Sequence, residues 1–246
     1  MSIRDAHLWH LYPICIFHIQ VSINQSLMFS ASKKKKKVKP DYPGFIVYLC
    51  FKHFYMKNIY LFLFDGYSDW EISYCTPEIY KNERVSLKTF SIDGNNVRSM
   101  GGLQVVPELS LNDILPEKID MLILPGGTAW DENKLNDIQL LVIDLVEQRK
   151  CIAAICAATF FLAKNGILDT IKHTSNDLGY LKSVVPNYKG EALYQSDKAF
   201  TDNNIITASG IAPIEFAKEI FSYIELFDKA TLENWYQLYK NGIWAG

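Results

Sequence analysis

Three short stretches of the chain carry residue types that could do chemistry together. In Ala153-Ala154-Ile155-Cys156-Ala157-Ala158 a cysteine directly follows an apolar run and directly precedes a helical pattern, with Ala154 two before it and Ala158 two after. That is the spacing of a nucleophile elbow. The turn holds its central residue in a strained conformation, small neighbours let strand and helix approach, and the next backbone N–H faces the nucleophile. A helix N-terminus favours negative charge, so the Cys156 thiol is expected to be more ionised than in water and able to attack a carbonyl carbon. The same cysteine among alanines also reads as a small core hydrophobe.

Glu71 stands in Ser68-Asp69-Trp70-Glu71, seven residues after an apolar run ends at Phe64. One reading makes it the far end of a capping box, turned back to the N-cap N–H. The other needs the cysteine: beside a thiolate in a poorly solvated cleft, burial and like charge raise a carboxyl pKa, and the protonated acid donates a hydrogen bond to sulfur. Gly126-Gly127, after Leu124-Pro125, is a turn that brings backbone N–H groups close to whatever sits at a strand end. With the Ala157 N–H such donors could form an oxyanion hole; alone they mark only a turn.

The elements that must position these residues are legible as alternating patterns. Apolar runs suited to buried strands recur at Ile59 to Phe64, Val85 to Ile92, Met121 to Leu124, Cys151 to Ile155 and Ile205 to Ala208. Helical patterns cover Ser68 to Tyr80, Glu132 to Arg149, Thr159 to Lys164 and Pro213 to Phe227, the last with proline just inside its start. Alternation of this kind predicts an α/β fold with a doubly wound sheet covered on both faces. Ligands then bind outside the carboxyl ends of the strands, near the reversal of strand order, where the three stretches fall. Leu178 to Ala199 reads as irregular structure with short strands.

Composition narrows the function classes. The chain has 246 residues, 49% of them hydrophobic, and a formal net charge of −2. Residues 1–55 carry net +6, including the block Lys33 to Lys37, and the remainder carries net −8. Residues 1–55 show no sustained period and predict no packed unit, so a leader that is disordered or absent from the natural product is expected, with a domain over 56–246 starting at Met56. Its lysines follow rather than precede an apolar run, unlike a secretory signal, and no run reaches the roughly 20 apolar residues of a membrane span. Five cysteines without a Cys-x-x-Cys pair suggest neither a disulfide framework nor a zinc ribbon. A reducing, cytoplasmic setting follows. Neither nucleic acid nor membrane is expected as a partner, and no metal or other cofactor is expected.

Taken in order, Asp65-Gly66-x-x-x-x-Glu71, Leu122-Ile123-Leu124-Pro125-Gly126-Gly127 and the cysteine stretch resemble the ThiJ/PfpI family of the class I glutamine-amidotransferase-like superfamily. The resemblance runs on through Phe161-Leu162-Ala163-x-x-Gly166-Ile167-Leu168 and Ile206 to Ala217, and covers nearly everything from Met56 to about Phe227. It implies a flavodoxin-like, mostly parallel sheet. It also implies that Cys156 is the reactive cysteine, Glu71 the protonated acid beside it, and Gly126, Gly127 and Ala157 the donors to an oxyanion or substrate. Many members place a histidine directly after the cysteine or about twenty residues on; here those positions are Ala157 and Asn176. His173, the one histidine after residue 55, is the remaining candidate for a catalytic base. In an extended stretch, however, positions 173 and 176 face opposite sides. Asn176 can hydrogen-bond a ligand but cannot move a proton at neutral pH.

The function expected is therefore a cysteine-dependent enzyme acting on a small-molecule or peptide substrate, as a protease or amidase, or in a glyoxalase-like or deglycase-like reaction. The alternative is a redox-responsive or chaperone-like stress protein that senses oxidation through Cys156. Pairing into a homodimer is a further implication of the resemblance.

Overall fold

The computed structural model describes residues 56–132 and 134–244; the expected leader, 1–55, lies outside the described residues. In chain order the elements are β1 (Lys57–Phe62), α1 (Asp69–Ile72), α2 (Cys75–Tyr80), β2 (Val85–Ser91), β3 (Val97–Arg98), β4 (Gln104–Val105), β5 (Leu109–Ser110), β6 (Met121–Leu124), α3 (Gln139–Glu147) and β7 (Cys151–Ile155). They continue with α4 (Ala158–Lys164), α5 (Leu178–Val184), β8 (Ala199–Asp202), β9 (Ile205–Ala208), α6 (Pro213–Tyr223) and α7 (Lys229–Asn241).

Seven strands form one sheet in the order β5-β2-β1-β6-β7-β9-β8. Every pair is parallel except β8 with β9. Every residue of β6, β7 and β9 is buried, as continuous apolar strands covered on both faces must be. Helices α2 and α6 pack together on one side, and α3 and α4 pack against β7. This is the flavodoxin-like α/β arrangement. Phe62, Phe90, Phe160, Phe216 and Phe221 are fully buried, and each such ring contributes about 1.5–3 kcal/mol of hydrophobic stabilisation.

The chain passes from β1 out to β2 and returns to β6 on the other side of β1, so strand order reverses between β1 and β6. Pairing of Leu124 with Ala154 and of Ile155 with Ala208 brings the carboxyl ends of β6, β7 and β9 level. Their loops converge at that end of the sheet. A two-stranded hairpin of β3 and β4 stands apart from the main sheet.

Three expectations about elements change. The single helix over Ser68 to Tyr80 is two short ones, because Pro77 has no N–H to offer Ser73 and a continuous helix would need that bond. The helix expected from Glu132 starts only at Gln139, after a 3-10 turn over Asn136–Ile138; asparagine and aspartate at 136 and 137 favour turns over helix interiors. The stretch Leu178 to Ala199 opens with helix α5, Leu178–Val184, capped by Asp177, whose side chain accepts the Tyr180 N–H.

Candidate active site

Cys156 follows β7 directly and has φ +59°, a left-handed conformation that costs a non-glycine residue about 1–2 kcal/mol. Three bonds hold it there. Its N–H donates to the Ala208 carbonyl at 2.9 Å, and its own carbonyl accepts both the Thr159 N–H at 3.1 Å and the Thr159 hydroxyl at 2.6 Å. Ala157 and Ala158 are nearly or fully buried, so the small residues of the motif are what let α4 begin against the sheet. The thiol itself is half-buried, whereas Cys75 and Cys151 are sealed in the core.

Glu71 comes to this sulfur from the first turn after β1, although it is fully buried. The capping box does not form: Ser68 makes no side-chain cap, and its N–H donates to the Gly126 carbonyl at 2.9 Å. The Glu71 carboxyl instead accepts the Gly126 N–H on Oε2 at 2.6 Å. Oε1 is buried without a hydrogen-bond partner, and the Cys156 and Ser68 side chains are polar neighbours of the carboxyl. Burial pushes the carboxyl up to about 7, against the lowering effect of the Gly126 N–H. At neutral pH this acid is poised between its two forms.

The thiol departs from the sequence expectation. Burial, and then the neighbouring Glu71 charge, push it up to about 12, while the Asn176 amide and the Ala157 N–H act in the other direction. The α4 N-terminus does not overcome that desolvation. The two groups form one acid–base pair: a carboxylate at 71 keeps the proton on sulfur, and a protonated Glu71 removes the repulsion that opposes a thiolate.

Asn176 also reaches the sulfur. Its Nδ2 donates to Cys156 Sγ at 3.2 Å, and its Oδ1 accepts the Gly210 N–H at 2.8 Å, which fixes the orientation of the amide. Gly210 follows the end of β9 and is a site residue the sequence reading passed over. A Cβ there would lie 2.7 Å from Cys156 Sγ and 3.0 Å from Glu71 Oε1, and one on Gly126 would lie 2.6 Å from Cys156 Cβ. Two glycines thus make the slot in which thiol and carboxyl meet. Gly210 could have been suspected as a glycine just beyond a fourth strand end, one beyond the three examined for chemistry.

The expected oxyanion donors separate. The Gly126 N–H is committed to Glu71, so this residue holds the acid and has no N–H left for a substrate. Ala157 keeps its N–H at the sulfur. Gly127 has φ +149° and packs so tightly on Gly66 and Phe64 that a Cβ would stand 2.7 Å from each.

His173 is not brought to the site. It is fully buried, Nδ1 is hydrogen-bonded to the Ile171 carbonyl at 2.8 Å, and Nε2 is bonded to the Tyr188 hydroxyl. Tyr188 and Tyr194 meet its ring edge-on, and burial lowers its pKa, which keeps the ring neutral. Its assignment as a catalytic base is therefore corrected to a core histidine with both nitrogens engaged. The physical cause is the one visible in the chain: 173 and 176 point to opposite sides of an extended segment, and 176 takes the sulfur.

Among the described residues no group of three or more His, Cys, Asp and Glu side chains could hold a metal ion. Nor, among them, is any helix long and apolar enough to cross a membrane.

Comparison with known proteins agrees with this architecture. Residues 57–223 match the sequence model of the DJ-1/PfpI family. A Bacillus subtilis (strain 168) protein named "uncharacterized protease YoaZ" is 41% identical over 191 residues, covering 75% of this chain and 91% of its own. A second from the same strain, "uncharacterized protease YdeA", is 34% identical, covering 73% and 87%. The crystal structure of a thiJ/pfpI family protein from Bacillus anthracis superposes with a TM-score of 0.71 at 40% identity, over 76% of this chain and 93% of that one.

Proposed function

The chain belongs to the DJ-1/PfpI family, and from that premise we propose that it is a cysteine-dependent enzyme in which Cys156 adds to the carbonyl carbon of a small carbonyl or amide substrate. The observation that carries this reading is the buried Glu71 carboxyl, held by the Gly126 N–H beside the Cys156 sulfur and poised at a pKa of about 7. A group that titrates near the working pH is suited to both take and return a proton.

The steps follow from what the site contains. Above the Glu71 midpoint the pair holds one proton, and its transfer from sulfur to the carboxylate leaves the thiolate as nucleophile. A new C–S bond forms as the carbonyl π pair moves to oxygen, and that oxygen is received by the N–H groups of Ala157 and Gly127. Glu71 then returns its proton. From methylglyoxal the adduct is a hemithioacetal; a proton moved from its sulfur-bearing carbon to the neighbouring carbonyl carbon, by way of an enediol, turns it into a thioester that water hydrolyses to lactate and free Cys156. From an amide the proton goes to the departing amine, and the thioester left on Cys156 is hydrolysed by water. Among the described residues no histidine stands at the sulfur, so proton traffic runs through Glu71. The protease names of the two Bacillus subtilis relatives favour the hydrolytic branch.

Turnover of methylglyoxal and of a fluorogenic peptide amide by wild type, Cys156→Ala and Glu71→Gln tests the proposal. Both variants are expected to lose turnover of whichever substrate is used. Full turnover by Cys156→Ala would remove the enzyme reading.

One observation favours the redox alternative: besides Glu71, the side chain bonded to the sulfur is the Asn176 amide, which donates a hydrogen bond and cannot take up a proton. Two equivalents of peroxide would then carry the thiolate to a sulfinate, each delivering one oxygen and leaving as water, with Asn176 and protonated Glu71 bonded to the product. Gain of two oxygens at Cys156 without turnover of either substrate would select this alternative.

A further inference from the structure

The hairpin of β3 and β4 has no part in the chemistry above, yet it is bonded to the loop that delivers Glu71. The Gly66 N–H donates to the Arg98 carbonyl at 2.7 Å, the Asp65 carboxylate accepts the Arg98 N–H at 2.7 Å, and the Met100 N–H donates to the Tyr67 carbonyl at 2.8 Å. A bond between two side chains completes this strap. The buried Ser99 hydroxyl donates to Asp69 Oδ2 at 2.7 Å and accepts the Leu103 N–H at 2.9 Å. At the hairpin tip, a Cβ on Gly101 would stand 2.2 Å from the same Asp69 oxygen. A side chain at 101 would expel the carboxylate that Ser99 receives.

The geometry matters because α1 cannot hold itself. It has four residues, and one helical turn fixes several backbone dihedrals in return for a single hydrogen bond. The position of Glu71 on that turn is therefore set by what clamps it. From inside, Ser68 and Glu71 are bonded to the two backbone groups of Gly126; from outside, the hairpin is bonded to residues 65–69.

We propose that Asp69 is a positioning residue for Glu71: received by Ser99 and given room by Gly101, its carboxylate locks the β3–β4 hairpin onto the loop and keeps the Glu71 carboxyl dry at the Cys156 sulfur. The inference rests on the reading of Glu71 and Cys156 as the reacting pair. Freeing the hairpin admits water to Glu71 and weakens its hold on the proton.

The test is the pH dependence of Cys156 alkylation by iodoacetamide, followed by intact mass on the full chain, for wild type, Asp69→Ala, Asp69→Asn, Ser99→Ala and Glu71→Gln. Wild type is expected to rise in rate with a midpoint near 7. Asp69→Ala and Ser99→Ala are expected to move that midpoint down by about one pH unit or more, toward the ordinary carboxylate range. Asp69→Asn, which keeps an acceptor for the Ser99 hydroxyl, is expected to follow wild type. Ser99→Ala removes only a hydroxyl and carries the test should Asp69→Ala not fold. Wild-type profiles for Asp69→Ala and Ser99→Ala, with Glu71→Gln displaced, would overturn the role of Asp69 alone. Coincident profiles for wild type and Glu71→Gln would overturn the reacting pair as well.

Discussion

The Gly126 N–H and Glu71 Oε2 meet at 2.6 Å across 55 residues of sequence, joining the turn after β6 to the turn after β1. That bond turns a buried carboxyl toward a thiol. It also takes from Gly126 the N–H that a substrate oxyanion would have used.

Replacing the acid by its neutral isostere should uncouple the thiol from it. In Glu71→Gln the rise of Cys156 alkylation with pH is expected to lose the midpoint near 7 and follow the buried thiol alone, at least about one unit higher. With the Glu71 charge that opposes the thiolate removed, the rate goes on rising above pH 7, where wild type levels off, and at pH 9 the variant is expected to react faster. Iodoacetamide kinetics across pH 5 to 10 measure this.

The same carboxyl should make stability depend on pH. Its folded-state pKa is raised from 4.5 to about 7, so the folded chain binds the proton more tightly than the unfolded chain does. The stabilisation is fully present below 4.5 and is lost as pH rises through 7, an effect of about 3 kcal/mol from this group. Urea denaturation at pH 5 and pH 8 should show that loss in wild type, and Glu71→Gln should lack this component.

Gly210 leaves the space in which the sulfur sits. Gly210→Ala places a Cβ 2.7 Å from Sγ, so the thiol must rotate off its position beside Glu71 and Asn176. Overpacking of this kind destabilises by about 1–3 kcal/mol, and alkylation at pH 7 is expected to slow as well. Thermal melting and the alkylation rate, measured on one preparation, read both effects.

His173 should matter for folding and not for chemistry. His173→Leu leaves the Tyr188 hydroxyl and the Ile171 carbonyl without their partner and is expected to destabilise by about 1–3 kcal/mol. Turnover and Cys156 alkylation, measured well below the melting temperature, should stay within twofold of wild type. A large loss of turnover in a folded variant would restore the histidine to the mechanism.

Those contrasts mark how far the chain could be read without its fold. Strands β6, β7 and β9 have the boundaries expected of them, because a parallel strand buried on both faces is a continuous apolar run with sharp ends. The elbow at Cys156 was legible from its flanking alanines. The partners of Glu71 were not, since Ser68-Asp69-Trp70-Glu71 satisfies a local capping pattern and only the approach of Gly126 diverts the carboxyl. The thiol pKa misled for a related reason: the local cue was the start of a helix, whereas burial, a property of the whole fold, dominates. Helix α7 went unread because it lies beyond the stretch that resembles the family; it is anchored by the Trp235 ring against Phe221 and by an ion pair from Lys240 to Glu215.

The most direct measurement is a titration of the Glu71 carboxyl carbon by NMR in protein labelled with ¹³C-glutamate, the resonance being assigned by its loss in Glu71→Gln. A midpoint near 7, falling when Gly126→Ala pushes the carboxyl away from the sulfur, is the predicted result. A midpoint near 4.5 in wild type would mean that the acid is solvated and fully ionised at neutral pH, with no proton to exchange with Cys156.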